Sequence, residues 1–340
     1  MTGPDRSRLT VLDCTLRDGG YYTDWYFDGT LVEDYLAACA SAGVDVVELG
    51  YAQLAETDRG PYGRLPDGLP PGLAATLAGH PSLRYAVMVD AARLTGEPDP
   101  GPRLAERLAA ASLPVELVRV AVHSHRTAAA ADLVASLRDA GFGVCLNLMQ
   151  IDLLDDARIG ELVGTVAGMG PLTAVYVADS LGSMRAGRVA DLIGRFTAGQ
   201  TAPVGVHAHD NQGFALHNTL AAAGAGATWL DATVLGMGRG AGNTRTEQLL
   251  AALGADADRL ASLLETTARH LLPLHDKHRW GAGPLYALAG MHGVHPSYVQ
   301  RLEQAQAHGL DGKLRALRAL AAAGASTFSE GALADALGHG

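Results

Sequence analysis

Arg17 and Asp18 end a short apolar run, Val11-Leu-Asp-Cys-Thr-Leu-Arg17-Asp18, and Gly19 and Gly20 follow at once. A buried strand that stops on opposite charges and flexible backbone has the form of a site mouth, although the same residues can make a strand-end ion pair with a turn behind it. Far downstream, Val204-Gly-Val-His207-Ala-His209 ends a second apolar run in two histidines at spacing two. Side chains two apart on a strand leave the same face, so both imidazoles can reach one ion, with the Asp18 carboxylate as third ligand.

The elements that must bring these groups together alternate along the chain. Apolar, strand-like runs at about 10–14, 44–49, 85–89, 117–122, 143–148, 174–178, 204–206 and 228–233 are separated by Ala/Leu-rich helical stretches. Eight such repeats predict a closed (β/α)8 barrel, with a doubly wound open sheet as the competing fold, and a barrel carries its site at the C-terminal ends of the strands. Polar residues collect at those ends: Arg17 and Asp18, Glu48, Asp90, His123 and His125, Asn147 and Gln150, Asp179 and Ser180, and His207 and His209. The eighth strand opens into the glycine-rich loop 236–243, which can cradle a phosphate or simply make a tight turn. Any one of these could be a satisfied strand-end group; eight ends behaving alike point to a functional face.

Composition bounds what the site belongs to. A chain of 340 residues, 48% hydrophobic and 18% charged, can bury a large core, and it divides into a barrel at 9–255 and a small C-terminal helical region at 256–340. The formal net charge of −10 without a basic stretch argues against nucleic acid or an anionic membrane as partner. The start of the chain carries no apolar signal region and no long apolar span occurs, so the expected location is the cytoplasm. Cys14, Cys39 and Cys145 are scattered on strand and helix positions and read as buried core thiols of a reduced compartment. Lys277 and Lys313 are the only lysines, so an imine-forming lysine would have to come from the C-terminal part and carbonyl chemistry needs another electron sink.

Taken together, Asp13-Cys-Thr-Leu-Arg-Asp-Gly19, the His207-Ala-His209 pair and Gly240-Ala-Gly-Asn-Thr244 resemble the metal-dependent lyase and aldolase superfamily of 3-hydroxy-3-methylglutaryl-CoA lyase, isopropylmalate and homocitrate synthases and 4-hydroxy-2-oxovalerate aldolase. The resemblance covers about residues 9–255. It implies a divalent metal on Asp18, His207 and His209, with Asn243 as a further ligand or neighbour, and an Arg17 that holds the substrate carbonyl and stabilises an enolate. The donor set suits Mn²⁺, Mg²⁺, Co²⁺ or Zn²⁺, with Mn²⁺ as the working choice.

Departures select the branch. The loop 236–242 lacks the catalytic cysteine of the acyl-CoA lyases, and Gly20-Tyr21-Tyr22 replaces the acidic residue and glutamine that the Claisen-type synthases place after Arg-Asp-Gly. Val118-Arg-Val-Ala-Val-His123 and Ala178-Asp-Ser-Leu-Gly-Ser-Met184 instead resemble the aldolase branch. The expected activity is therefore a metal-dependent aldolase joining or parting a 2-oxo acid such as pyruvate and an aldehyde. A Claisen-type acyl-CoA synthase and a non-catalytic metal-binding scaffold are the alternatives. The aldolases carry a proton-shuttling histidine where Tyr21 stands, and a phenol is a poor base at neutral pH. Tyr21 can donate a hydrogen bond while His123, Glu48 or metal-bound water moves the proton; Ser180 can hold the substrate carboxylate, and Asn147 and Asp179 can support the site. Tyr286, His295 or Tyr298 of the C-terminal region could close it. The resemblance further suggests an aldehyde dehydrogenase partner and a homo-oligomer.

Overall fold

The computed structural model describes residues 5–305 and 308–338; positions 306, 307, 339 and 340 of the expected C-terminal region lie outside it. Eight parallel strands close into one barrel: β1 (Thr10–Asp13), β2 (Val46–Tyr51), β3 (Arg84–Asp90), β4 (Val115–His123), β5 (Gly143–Met149), β6 (Ala174–Asp179), β7 (Val204–Ala208) and β8 (Trp229–Ala232). β8 closes on β1 with Leu12 opposite Asp231, which excludes the open sheet. Helices cover the outer face, so strands such as β2 and β6 are buried at every position and read as continuous apolar runs rather than alternating ones. Two of these helices start on aspartate caps: Asp28 accepts the amides of Thr30 and Leu31, and Asp155 that of Arg158.

The barrel interior is filled in layers from alternate strands. Low in the barrel sit Val46, Leu117, Ala174 and Trp229 of the even strands, then Leu12, Ala86 and Cys145 of the odd ones. Gly205 of β7 completes that second layer with no side chain, because a Cβ there would stand 2.7 Å from the Tyr176 ring. The third layer is polar: Glu48, Arg119, Tyr176 and Asp231, from β2, β4, β6 and β8. Arg119 Nη1 donates to Glu48 Oε2 at 3.0 Å, its Nη2 to Asp231 Oδ2 at 2.5 Å, and its guanidinium lies over the Tyr176 ring at 4.3 Å. All four are fully buried or within 1% of it. This charged layer is the floor on which the site stands.

Beyond the barrel, the helix Ala257–Thr266 packs on Gly29–Ala42, and the helices Pro284–His292, Pro296–Gln304, Leu310–Ala322 and Glu330–Gly338 enclose a second apolar cluster around Tyr298, Leu302 and Leu317. Ala241 of the glycine-rich loop belongs to that second cluster, so the C-terminal helices rest on the mouth of the barrel. No helix among the described residues is long and apolar enough to cross a membrane.

Candidate active site

The segment Arg17-Asp18-Gly19-Gly20 is not the flexible turn expected from its glycines. It forms two short helical turns, Thr15–Asp18 and Gly20–Thr23. Asp13 Oδ1 accepts both the amide and the hydroxyl of Thr15, at 2.8 and 2.6 Å, and so starts the first turn. The glycines serve close packing: a Cβ on Gly20 would stand 2.1 Å from the Trp25 ring. The turn fixes Arg17 and Asp18 side by side, 2.6 Å apart and almost fully buried.

Asp18 meets His207 and His209 as the sequence spacing required. Asp18 Oδ2 is 3.7 Å from His207 Nε2 and 3.9 Å from His209 Nε2, and one ligand atom from each of the three residues lies within 4.8 Å of the others. His207 Nδ1 faces Asp231 Oδ2 at 2.8 Å and His209 Nδ1 faces the Asp179 carbonyl at 2.7 Å. Both acceptors demand a proton on Nδ1, which puts the lone pair of each ring on Nε2, the nitrogen nearer Asp18; that of His209 has no hydrogen-bond partner among the described residues, and that of His207 accepts from Asn243 Nδ2. Asn243 stands beside them with Nδ2 3.0 Å from His207 Nε2.

A cation fits these atoms. Asp18 Oδ2, His209 Nε2 and Asn243 Oδ1 are buried acceptors without a hydrogen-bond partner among the described residues, a costly arrangement unless a positive ion meets them. Gly238 keeps the space open, since a Cβ there would sit 1.7 Å from Asn243 Oδ1 and 2.9 Å from Asp18 Oδ2. Burial disfavours the Asp18 carboxylate, but Arg17 and then His207, His209 and Arg239 outweigh it and hold its pKa well below the usual range. Burial, reinforced by His207, holds His209 down to about 3, so it is neutral and ready to ligate. A second grouping of Cys14, His207 and Asp231 is close enough to be considered. There the carboxylate is already neutralised by Arg119, and burial keeps the Cys14 thiol protonated.

Arg17 lines the pocket next to this centre, with Nε given to Glu48 Oε2 at 2.7 Å and Nη1 to Asp18. Its Nη2 makes no hydrogen bond among the described residues and is free for a ligand oxygen. Glu48 lies behind Arg17, accepting from it and from Arg119 through one oxygen, and is not among the residues that line this pocket. Tyr21 reaches the same pocket, its hydroxyl 3.1 Å from that of Tyr51. Asn147 and Ser180 also line it, and Ser180 Oγ accepts the Gln150 amide at 2.9 Å, which leaves its O–H free to donate.

His123 stands further out, in a second cleft that shares Tyr21, Ser180 and Arg239 with the pocket at Asp18. Gln150 donates its Nε2 to the Ser326 carbonyl and offers Oε1 to His123 Nδ1 at 3.1 Å, so Nδ1 of His123 carries the proton and Nε2 the lone pair. Burial and the neighbouring His125 lower its pKa, which keeps that lone pair available. Asp90 and His295 line this outer cleft, whereas His125 faces a separate surface groove. Asp179 accepts the Ser183 and Met184 amides, and burial with Asp152 pushes it up to about 7. Of the three residues considered for closing the site, only His295 reaches it. Tyr298 is buried and donates to the Thr327 carbonyl, and Tyr286 lies 3.5 Å from the Tyr22 hydroxyl within the second core.

Sequence reasoning missed Asp231, Arg119, Arg239 and Arg59. Three left a trace: a lone charge inside an apolar strand for the first two, and an arginine between glycines for the third. Nothing in the irregular 52–72 stretch singles out Arg59.

Comparison with known proteins identifies the family and the fold. Residues 110–270 match the HMGL-like family model. The chain is 32% identical over 246 residues to a 4-hydroxy-2-oxovalerate aldolase of Pelotomaculum thermopropionicum, covering 72% of this chain and 70% of that protein. It is 31% identical over 284 residues to 4-hydroxy-2-oxovalerate aldolase 4 of Rhodococcus opacus, covering 81% and 78%. Among solved structures it superposes on the N-terminal domain of a candidate aldolase from Bacteroides vulgatus with a TM-score of 0.76 and 28% identity, over 88% of this chain and 97% of that one. The carboxyl transferase domain of Rhizobium etli pyruvate carboxylase, at 18% identity and a TM-score of 0.70 over 98% and 63%, shares the fold. The chain belongs to the HMGL-like family, among the relatives of the 4-hydroxy-2-oxovalerate aldolases.

Proposed function

We propose that this protein is a divalent-metal-dependent aldolase that makes or breaks the carbon-carbon bond between the enolate of a 2-oxo acid, pyruvate above all, and an aldehyde. The observation that carries the proposal is the buried trio of Asp18, His207 and His209 with unpartnered acceptors beside the free edge of Arg17. Asp18, His207 and His209, with Asn243 as a fourth donor, would hold the ion, and Mn²⁺ suits this mixed nitrogen and oxygen set. Bound there, a divalent cation supplies Lewis acidity to the keto oxygen of the substrate.

Arg17 directs Nη2 at the oxygen on which enolate charge develops, and its own position is set by Glu48 and Asp18. Glu48 is thus a positioning residue in this scheme. Ser180 donates its hydroxyl to the substrate carboxylate. In cleavage, His123 Nε2 accepts the proton of the 4-hydroxyl while the bond between carbons 3 and 4 breaks; its electron pair stays on the pyruvate enolate and carbon 4 leaves as aldehyde. In condensation the same proton returns. Tyr21 donates a hydrogen bond to that oxygen, with Tyr51 holding its hydroxyl in place; burial raises the Tyr51 pKa, so Tyr51 stays a phenol.

The test is cleavage of short 4-hydroxy-2-oxo acids, with pyruvate release followed by a coupled reductase. Turnover that requires added Mn²⁺ and vanishes with a chelator is expected. Loss of a thiol from acetyl-CoA in the presence of pyruvate, with no cleavage of hydroxy-oxo acids, would instead identify a Claisen-type synthase.

A further inference from the structure

The outer cleft holds two arginines that form no ion pair among the described residues. Arg59 and Arg239 line it together with Tyr21, Tyr51 and Ser180. The Arg59 guanidinium carbon lies 4.3 Å from the Trp25 ring centroid and 4.8 Å from that of Tyr51, and that of Arg239 lies 5.6 Å from Tyr21. Neither guanidinium has an ion pair or side-chain hydrogen bond among the described residues, whereas Arg17 and Arg119 on the barrel axis are each paired twice. An arginine laid on aromatic faces keeps its N–H edge free and fixed, the form in which it binds carboxylate or phosphate.

The surroundings hold these cations in place. Gly240, next to Arg239, gives its carbonyl to the Tyr22 hydroxyl at 2.6 Å, and a Cβ on Gly240 would stand 2.8 Å from Pro296. The loop is therefore clamped between the barrel and the C-terminal helices. The opposing charge in the cleft is Asp90, whose Oδ1 accepts the Ala92 amide and whose Oδ2 lies 3.9 Å from Arg93 Nε. The phenols Tyr21 and Tyr51 also line the cleft, and burial lowers the pKa of its two histidines, His123 and His295, which favours their neutral forms.

Arg239 borders both the metal pocket and the outer cleft, but Arg59 borders only the outer one. The 2-oxo acid brings one carboxylate, which Ser180 meets at the inner pocket. A plain alkyl aldehyde gives Arg59 nothing to bind and would place apolar surface against a half-buried guanidinium. We infer that the aldehyde partner carries its own anionic group, a carboxylate or a phosphate, at the end remote from its carbonyl, and that Arg59 with Arg239 reads it. The inference rests on the aldolase assignment above. In the condensation, carbon 3 of the pyruvate enolate bonds to the aldehyde carbon and the carbonyl π pair becomes a hydroxyl by taking one proton. The product is a 4-hydroxy-2-oxo acid with a second anionic end.

The test compares kcat/KM, with pyruvate and Mn²⁺, for two matched pairs: 4-oxobutanoate against butanal, and glyceraldehyde 3-phosphate against glyceraldehyde. The anionic member of at least one pair is expected to win by about 10- to 100-fold, and the pair that shows it tells carboxylate from phosphate. Arg59→Gln should lower that ratio by about ten-fold or more, with part of it restored in Arg59→Lys. Neutral aldehydes equal to or better than their anionic partners in both pairs would overturn the inference, as would an Arg59→Gln variant that slows both members alike. Deuterium exchange at the pyruvate methyl group separates the two levels. Exchange without anionic preference removes this inference alone, and no exchange removes the aldolase assignment and this inference with it.

Discussion

His207 Nδ1 and Asp231 Oδ2 are 2.8 Å apart, and the same carboxylate oxygen accepts Nη2 of Arg119 at 2.5 Å. One buried oxygen thus fixes the tautomer of a candidate metal ligand and neutralises the cation in the barrel floor. Burial alone would favour the protonated acid, yet Arg119 and then His207 hold the Asp231 pKa below its ordinary value. The carboxylate stays charged and His207 keeps its lone pair on Nε2.

Asp231→Asn should therefore weaken Mn²⁺ binding by about 10- to 100-fold without removing a ligand. It should also lower stability by about 3–5 kcal/mol, because Arg119 is left buried with only Glu48 as counter-ion. Calorimetric Mn²⁺ titration and urea unfolding read the two effects. Unchanged metal affinity in a folded variant would show that Asp231 has no part in setting His207.

Gly238→Ala adds a single methyl group where Asn243 Oδ1 and Asp18 Oδ2 converge. The expected result is a folded protein whose Mn²⁺ affinity and turnover fall together, since rigid loop backbone on one side and two ligands on the other leave the methyl nowhere to go. Retention of full metal affinity in this variant would place the ion elsewhere.

His123→Gln removes the proposed proton acceptor but keeps a hydrogen-bonding side chain at the rim. Cleavage of 4-hydroxy-2-oxo acids should slow by about 10²- to 10⁴-fold, while metal affinity stays level. Stopped-flow cleavage rates alongside Mn²⁺ titration distinguish this from a general loss of structure. Full cleavage activity would move the proton to Tyr21 or to bound water.

Acid should destabilise the metal-free protein in a defined window. Burial, assisted by Arg239, holds His295 down to about 3, and its Nδ1 accepts the Ser297 amide at 3.3 Å, a role that needs the neutral ring. In the unfolded chain the imidazole takes a proton near pH 6.5. Between those values the unfolded state binds more protons, so stability is full above about pH 6.5 and falls as the pH drops toward 3. Urea midpoints should decline from pH 7 to 5, with no more than about 1.4 kcal/mol per pH unit from this group. His295→Asn keeps a capping acceptor and should make the decline shallower. An equally steep decline in that variant would deny His295 a share.

The sequence made the eight strands legible because buried parallel strands are continuous apolar runs, and the ligand pair legible because spacing two on a strand means one face. The turn at Thr15–Asp18 was not, since it is started by Asp13, a residue that also takes the Tyr35 hydroxyl from a helix 22 positions away. The Glu48, Arg119 and Asp231 contacts escaped for a related reason. They join alternate strands across the barrel interior, at separations of 71 and 112 residues, and depend on a register that no local pattern states. Arg59 lies in an irregular connection where periodicity carries no signal.

The most direct measurement is deuterium exchange at the methyl group of pyruvate, followed by proton NMR with and without Mn²⁺, in the wild type and in His207→Ala. Enolisation is half of the aldol reaction and needs no aldehyde, so it interrogates Asp18, His207, His209 and Arg17 alone. The account predicts exchange that depends on Mn²⁺ and disappears in His207→Ala. Absence of exchange in wild-type protein with Mn²⁺ demonstrably bound, or undiminished exchange in His207→Ala, would contradict it.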